Sequence, residues 1–107
     1  MNDDEQPAFG YGAHGRPLWS VRARDAEAIR ALLRRAGHRE FSERRGGFVV
    51  EGANASQDGP EPFSVTCTDD KLLAAGEVGR YSALLHGAGY RVLADPEDDE
   101  ILEVWPA

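Results

Sequence analysis

The sequence predicts an α+β domain: a two-layer sandwich in which a β-α-β-β unit occurs twice, with a mainly antiparallel sheet and both helices on one face. Three observations predict it. Two apolar stripes with helical spacing each end at a glycine, and short alternating segments typical of strands flank them. Residues 31–41 also resemble residues 83–93, in a register that continues to 49–51 and 101–103. A ferredoxin-like arrangement and a pseudo-twofold pair of units both fit this order.

The first unit is predicted to span residues 18–51 and is built around one helix. Asp25 can cap that helix, and the apolar residues that follow recur at helical spacing on one side of it. Gly37 comes directly after this stripe and favours the left-handed conformation that ends a helix. The predicted elements of this unit are a strand at 18–22, a helix at 26–36 and strands at 38–43 and 48–51.

The second unit is predicted to span residues 63–105 in the same order. Asp69 and Asp70 favour a short capped turn, which Gly76 interrupts before the main helix begins. Gly89 ends that helix, as a glycine ends the first one. The predicted elements of this unit are a strand at 63–67, a helix at 77–88 and strands at 90–94 and 101–105.

Two explanations account for the resemblance between the units. One is an internal duplication. The other is convergence, because leucines that pack, a glycine that ends the helix and a ring that follows it make a common junction between a helix and a strand. The first strands of the two units do not align in register, so the second unit has a longer connection between its first strand and its helix.

Length and composition predict a single domain. The chain has 107 residues, and we expect a flexible N-terminal arm at 1–16 and one α+β domain at 17–107. No apolar run approaches the ~20 residues of a membrane helix, and the acidic N-terminus is unlike a signal peptide. The one cysteine, Cys67, cannot form an internal disulfide. We therefore expect a soluble cytoplasmic protein with no membrane partner. Its arginine-rich basic residues suggest a GC-rich bacterial genome.

The distribution of charge is more informative than its sum. The formal net charge is −7, divided as −3 over residues 1–15, +5 over 16–45 and −9 over 46–107. A negative total opposes nucleic-acid binding, which needs a cationic surface. The asymmetry is typical of a binding face, of self-association, or of two halves that neutralise each other within one fold.

Three arginines are candidate ligands for an anion. Arg39 follows the first helix, and Arg44 and Arg45 precede two glycines in the predicted hairpin turn. Guanidinium groups beside free backbone N–H groups can bind a phosphate or carboxylate. The alternative is a solvated hairpin turn.

No constellation of residues in the sequence predicts catalysis. The G-x-S-x-G, H-E-x-x-H and P-loop motifs are lacking, and His14, His38 and His86 have no metal-ligand spacing. A G-x-G-x-x-G match at residues 10–15 lacks the preceding strand and following helix of a dinucleotide site. We therefore expect no metal site, no cofactor and no catalytic residue. A Cys67–histidine nucleophile pair would require contacts that the sequence does not indicate.

The leading hypothesis is a non-enzymatic interaction or accessory module that binds another protein, or a second copy, through its uncovered sheet face or edge. Trp19 and Trp105, in the first and last predicted strands, are the candidate interaction residues, with core packing as the alternative. A second hypothesis is a regulatory domain that binds a small anion through Arg39, Arg44 and Arg45. A third is a small enzyme without a recognisable motif.

Overall fold

The computed structural model describes residues 6–42, 44–52, 61–98 and 100–106. Two helices and four strands make up the described fold. The strands form one antiparallel sheet in the order β1-β2-β4-β3, which confirms the α+β class. After a short 3-10 turn at Ala13–Gly15, the elements are α1 Val21–Arg35, β1 Phe48–Glu51, β2 Phe63–Cys67, α2 Lys71–Gly87, β3 Arg91–Ala94 and β4 Ile101–Trp105.

One hydrophobic cluster joins the sheet to both helices. Side chains alternate between the two faces of a strand, so every second residue of the sheet points into this cluster. Tyr81 and Phe48 are the largest fully buried side chains and meet edge to face, with ring centroids 6.1 Å apart. The cluster consists of Ala26, Ile29, Leu33, Phe48, Val50, Phe63, Val65, Cys67, Ala74, Val78, Tyr81, Leu85, Leu102 and Val104.

The strand predicted at 18–22 is wrong, because α1 already begins at Val21. Ser20 is the N-cap, and its hydroxyl accepts a hydrogen bond from the Ala23 N–H at 3.0 Å. This bond satisfies one of the donors that the first helical turn leaves unpaired. Asp25 is therefore not the cap and lies within the helix.

The strand predicted at 38–43 is also wrong as a regular element. Only isolated bridges occur in its described residues, and the bridge from Glu40 to Phe48 is parallel. The Phe48 N–H donates to the Arg39 carbonyl, and the Phe41 N–H donates to the Phe48 carbonyl. Gly47 permits this close approach, because a Cβ there would overlap the Arg39 carbonyl oxygen.

The break predicted near Gly76 does not occur. Helix α2 runs without interruption from Lys71 to Gly87 and includes both Gly76 and Gly79. Each such glycine costs about 0.5–1 kcal/mol relative to alanine. The buried residues Val78, Tyr81 and Leu85 pack against the sheet and outweigh that cost.

The two helix ends have the same hydrogen-bonded closure. Gly37 has φ 95° and Gly89 has φ 98°, both in the left-handed region. After α1 the His38 N–H donates to the Leu33 carbonyl at 3.0 Å, and after α2 the Tyr90 N–H donates to the Leu85 carbonyl at 3.0 Å. These are the bonds of a Schellman motif. Common ancestry of the two halves remains a prediction.

A cluster of charged side chains, here called the Glu27 cluster, connects α1 to the segments before and after it. Glu27 accepts hydrogen bonds from Arg34 at 2.6 Å, Arg16 at 2.8 Å and Arg30 at 3.4 Å. Glu40 accepts from Arg16 at 3.0 Å and Arg34 at 2.9 Å. The cluster therefore links α1 to the segment before it, through Arg16 and Glu27, and to the segment after it, through Arg34 and Glu40.

The electrostatics of this cluster favour the charged form of Glu27, whose side chain is only 11% exposed. Burial by itself raises the pKa of this carboxyl. The hydrogen bonds from Arg34 and from the Ala13 N–H and the positive charge of Arg16 outweigh burial, so the pKa lies below its ordinary value. The same contacts to Glu27 and Glu40 raise the pKa of Arg34 against the effect of burial.

In the described part of the chain, neither helix is both long and apolar enough to cross a membrane.

Candidate functional site

The sheet face away from the hydrophobic cluster, here called the outer face, carries a mixture of apolar and charged side chains. The strand register places Thr66 beside both Val49 and Ile101, and Glu103 beside both Ser64 and Leu93. Leu93 is 54% exposed. By alternation along the strands, the outer face consists of Val49, Glu51, Ser64, Thr66, Arg91, Leu93, Ile101, Glu103 and Trp105.

The two edges of the sheet differ in how their backbone groups are used. At β1 the carbonyls of Phe48, Val50 and Gly52 point away from β2, and each accepts a hydrogen bond. The Phe48 carbonyl accepts from the Phe41 N–H. The Val50 carbonyl accepts from the Arg30 guanidinium at 3.2 Å, and the Gly52 carbonyl accepts from the Arg22 guanidinium at 2.7 Å. The outward carbonyls of Phe48, Val50 and Gly52 are therefore occupied by Phe41 and by two arginine side chains of α1.

The opposite edge, β3, is open along its outer side. Within the described residues β3 pairs only with β4. The Asp95 N–H donates to the Ile101 carbonyl at 3.1 Å. Hydrogen-bonded pairs alternate along an antiparallel ladder, so Leu93 and Arg91 also point their backbone groups at β4. The N–H and carbonyl groups of Val92 and Ala94 consequently point outward from the sheet.

Side chains at the two ends of β3 carry opposite charge. The Arg91 guanidinium lies over the Trp105 ring, 4.3 Å from its centroid. Asp95 follows β3, and its Oδ1 accepts a hydrogen bond from the Glu97 N–H at 2.8 Å. Stacking and the turn therefore orient a cation and an anion on either side of Leu93.

The structure separates the two tryptophans that the sequence identified as interaction candidates. Trp105 lies on the outer face in β4. Trp19 lies in the loop before α1, is 52% exposed and lines a cavity of about 290 Å³ with Arg16 and Arg30. Trp19 is not in a strand, because the helix begins two residues after it.

The three candidate anion ligands lie close together in sequence but have different surroundings. Arg44 and Arg45 are exposed in the turn. The Arg39 guanidinium donates to the Gly46 carbonyl at 2.7 Å and lies 3.4 Å from the Asp69 carboxylate. Arg39 thus holds the turn, and Asp69 offsets part of the positive charge there.

A cleft that the sequence did not predict lies beside Arg39. It has a volume of about 320 Å³ and is lined by Gly37, His38, Arg39, Gly47, Asp69, Glu77 and Tyr81. The His38 ring lies edge-on to Tyr81, with centroids 4.9 Å apart, and its Nδ1 is 3.5 Å from a Glu77 carboxylate oxygen. The Cys67 thiol donates to the Asp69 carboxylate at 3.9 Å.

The polar side chains that line this cleft contact one another. Burial, then the hydrogen bond with Cys67, raises the pKa of Tyr81 well above its ordinary value, so the phenol stays neutral. Among the described residues, no group of three or more histidine, cysteine, aspartate or glutamate side chains is arranged to hold a metal ion. Cys67 and His38 both contact Tyr81, but among the described residues they form no hydrogen bond with each other.

Sequence reasoning missed the partners of these groups because they come from distant segments. His38 follows α1, Asp69 lies between β2 and α2, and Glu77 lies within α2. They line one cleft only once α2 packs on the sheet. The i, i+3 spacing of Glu27 and Arg30 was a usable signal for a charged pair. The contributions of Arg16 and Glu40 had no such signal.

Comparison of the chain with family models, with curated proteins and with solved structures finds no match.

Proposed function

We propose that this chain is a non-enzymatic protein-interaction module that binds a partner polypeptide through the outer face of its sheet and the β3 edge. The observation that carries the proposal is the difference between the two edges. The β1 carbonyls accept hydrogen bonds from Arg22, Arg30 and Phe41. The β3 edge presents the outward groups of Val92 and Ala94, which a strand from a partner can satisfy.

The outer face supports the same proposal. Its apolar side chains include Val49, Leu93 and Ile101, and they alternate with the carboxylates of Glu51 and Glu103. Main-chain hydrogen bonds at an added strand supply affinity, and side chains on the adjoining face supply specificity. Edge and face together form one continuous binding surface.

Site-specific photocrosslinking tests the proposal in cells that make the protein at its natural level. A benzophenone amino acid replaces Leu93 on the outer face or, as a matched control, the exposed Ala28 on α1. We expect a discrete polypeptide adduct from position 93 and none from position 28. Adducts from position 28 alone, or from neither position, would contradict the proposed surface.

The exposed guanidinium groups of Arg44 and Arg45 favour a second candidate, the binding of a small anion at the turn. A ligand that binds only the native state raises its thermal stability. Inorganic phosphate should then raise the melting temperature of the full chain, and the double variant Arg44→Ala/Arg45→Ala should abolish the rise. An equal rise in the double variant excludes these residues.

A further inference from the structure

The proposed function leaves the partner unnamed, and this inference rests on that function. We propose that the partner is a second copy of this chain, whose β3 pairs with β3 in antiparallel orientation about a twofold axis at Leu93. A symmetric pair of identical edges is the simplest closed arrangement of two chains, because the same surface serves on both sides.

The backbone selects the register of this pairing. The outward groups belong to Val92 and Ala94, so these residues must form the hydrogen-bonded pairs. Pairing Val92 with Ala94 of the second copy uses both residues of both chains. A shift of two positions one way brings Pro96 opposite Val92, and proline has no N–H to donate. A shift of two positions the other way pairs Val92 with Val92 of the second copy. It also places Arg91 opposite Leu93, a charged side chain opposite an apolar one.

The side chains agree with the register that the backbone selects. With Val92 opposite Ala94, the outer face places Arg91 opposite Asp95 of the second copy, and the twofold axis repeats this ion pair. Leu93, which is 54% exposed in the single chain, then lies opposite Leu93 of the second copy. Opposite charges and apolar residues that face each other across antiparallel strands are stabilising.

Both charged groups are already oriented for this contact. The Arg91 guanidinium stacks on Trp105 at 4.3 Å, which restricts its rotamers before association. Asp95 uses Oδ1 for the Glu97 N–H, and its Oδ2 is the acceptor for Arg91 of the second copy. Groups that are held in place beforehand lose less entropy on binding.

A charged residue and a proline at an edge are also a common protection against aggregation. Here they have a narrower effect. Pro96 removes one register and Arg91 disfavours another, whereas the register centred on Leu93 meets neither obstacle. The same residues therefore limit pairing at β3 to a single geometry.

Sedimentation equilibrium of the purified full chain over a concentration series tests the proposal. At about 0.15 M salt the Debye length is ~8 Å. Electrostatic repulsion between two chains, each of net charge −7, is therefore largely screened. We expect a species of twice the 11.7 kDa chain mass. Arg91→Glu and Asp95→Arg each place like charges opposite one another, and each should raise the dissociation constant at least about tenfold.

Mixing the two single variants distinguishes pairing from misfolding. In the mixed dimer the carboxylate introduced at position 91 of one chain meets the guanidinium introduced at position 95 of the other. The second contact keeps the native Asp95 opposite the native Arg91, so the mixture should regain the dimer mass that neither variant shows alone. The double variant Arg91→Glu/Asp95→Arg should dimerise by itself. Arg35→Glu, an exposed position on α1 with the same change of charge, is the control and should leave the dissociation constant unchanged.

Hydrogen–deuterium exchange then tests whether the β3 edges pair, and the charge-swap variants test the register. The Val92 and Ala94 amides should exchange more slowly in the dimer than in Arg91→Glu. A chain that is monomeric throughout, or a dimer whose Val92 and Ala94 amides stay unprotected, overturns the self-pairing. In the crosslinking experiment, an adduct at position 93 with a different protein overturns this inference but keeps the proposed function, whereas no adduct there overturns both.

Discussion

The chain leaves its two helices in the same way and then behaves differently in the two halves. Gly37 and Gly89 close α1 and α2 with matching bonds from His38 to Leu33 and from Tyr90 to Leu85. After Gly89 the chain enters the regular strand β3, which pairs with β4 over four residues. After Gly37 the described residues before β1 form only isolated bridges, and the one to β1 is parallel.

This comparison shows which parts of the structure are determined by neighbouring residues in the sequence and which by tertiary contacts. A helix closure depends on a glycine and its immediate neighbours, so similar sequences produce the same geometry. The segment that follows depends on what lies beside it. In the first half Arg16 and Arg34 hold Glu40 next to α1, and Gly47 lets residues 39–41 approach β1. The second half has β4 alongside, and a ladder forms instead.

The largest expected effect is at Gly47. Gly47→Ala places a methyl group against the Arg39 carbonyl, so residues 39–41 must separate from β1. We expect the free energy of unfolding to fall by roughly 3 kcal/mol, as for severe overpacking, measured by urea denaturation. An alanine that is tolerated without loss of stability would show that the first half does not depend on this close approach.

The next largest effect is at Glu27. Glu27→Gln removes the charge that pairs with Arg16, Arg30 and Arg34. Glu40 remains beside Arg16 and Arg34, whereas the half-buried Arg30 loses the carboxylate that it pairs with. We expect a loss of about 3 kcal/mol, at the lower end of the range for a broken buried ion pair. The exposed Glu97→Gln is the matched control and should change stability by less than about 0.5 kcal/mol. Equal losses for both variants would contradict a structural role for the cluster.

The stability difference between the native chain and Glu27→Gln should also depend on pH, in a direction that the pKa of Glu27 sets. The pKa of Glu27 is lower in the folded chain than its ordinary value of 4.5, so folding favours the ionised form. Its contribution is therefore complete above pH 4.5 and is lost as the pH falls through the folded pKa. The stability difference between the native chain and Glu27→Gln should shrink below pH 4.5 in acid-dependent urea titrations. A difference that grows on acidification would give the wrong sign.

The smallest effects compare the two closures with each other. Gly37→Ala and Gly89→Ala each force an L-residue into the left-handed region, at a cost of about 1–2 kcal/mol. We expect nearly equal losses, since the two φ angles differ by only 3°. Gly79→Ala lies within α2 with open space around a Cβ and should instead raise stability by about 0.5–1 kcal/mol. Clearly unequal losses at the two closures would show that their surroundings differ more than their backbones.

Strands in which buried and exposed residues alternate regularly could be predicted from the sequence. The predicted bounds of β1, β2 and β4 match the structure, because buried and less buried residues alternate along all three strands. Prediction failed where a local signal competed with another. Leu18 to Arg22 alternates like a strand, but Ser20 caps a helix there and Arg22 is buried through its contacts with Gly52 and Glu61.

The candidate site was predictable only in outline. An uncovered face and an edge follow from a sheet with helices on one side. Which edge is open depends on Arg30 reaching Val50 and on Arg22 reaching Gly52, across 20 and 30 residues of chain. No spacing rule connects residues so far apart, so the sequence could not separate β1 from β3.

The arginine contacts at β1 also have a consequence for the size of the proposed assembly. A sheet with two receptive sides can add copies without limit and becomes a fibril. In the described residues Arg22 and Arg30 occupy the outward carbonyls of Gly52 and Val50, so in the proposed dimer the β1 edges would be poor templates for a third chain. If the proposed pairing at β3 is correct, we expect association to stop at two chains.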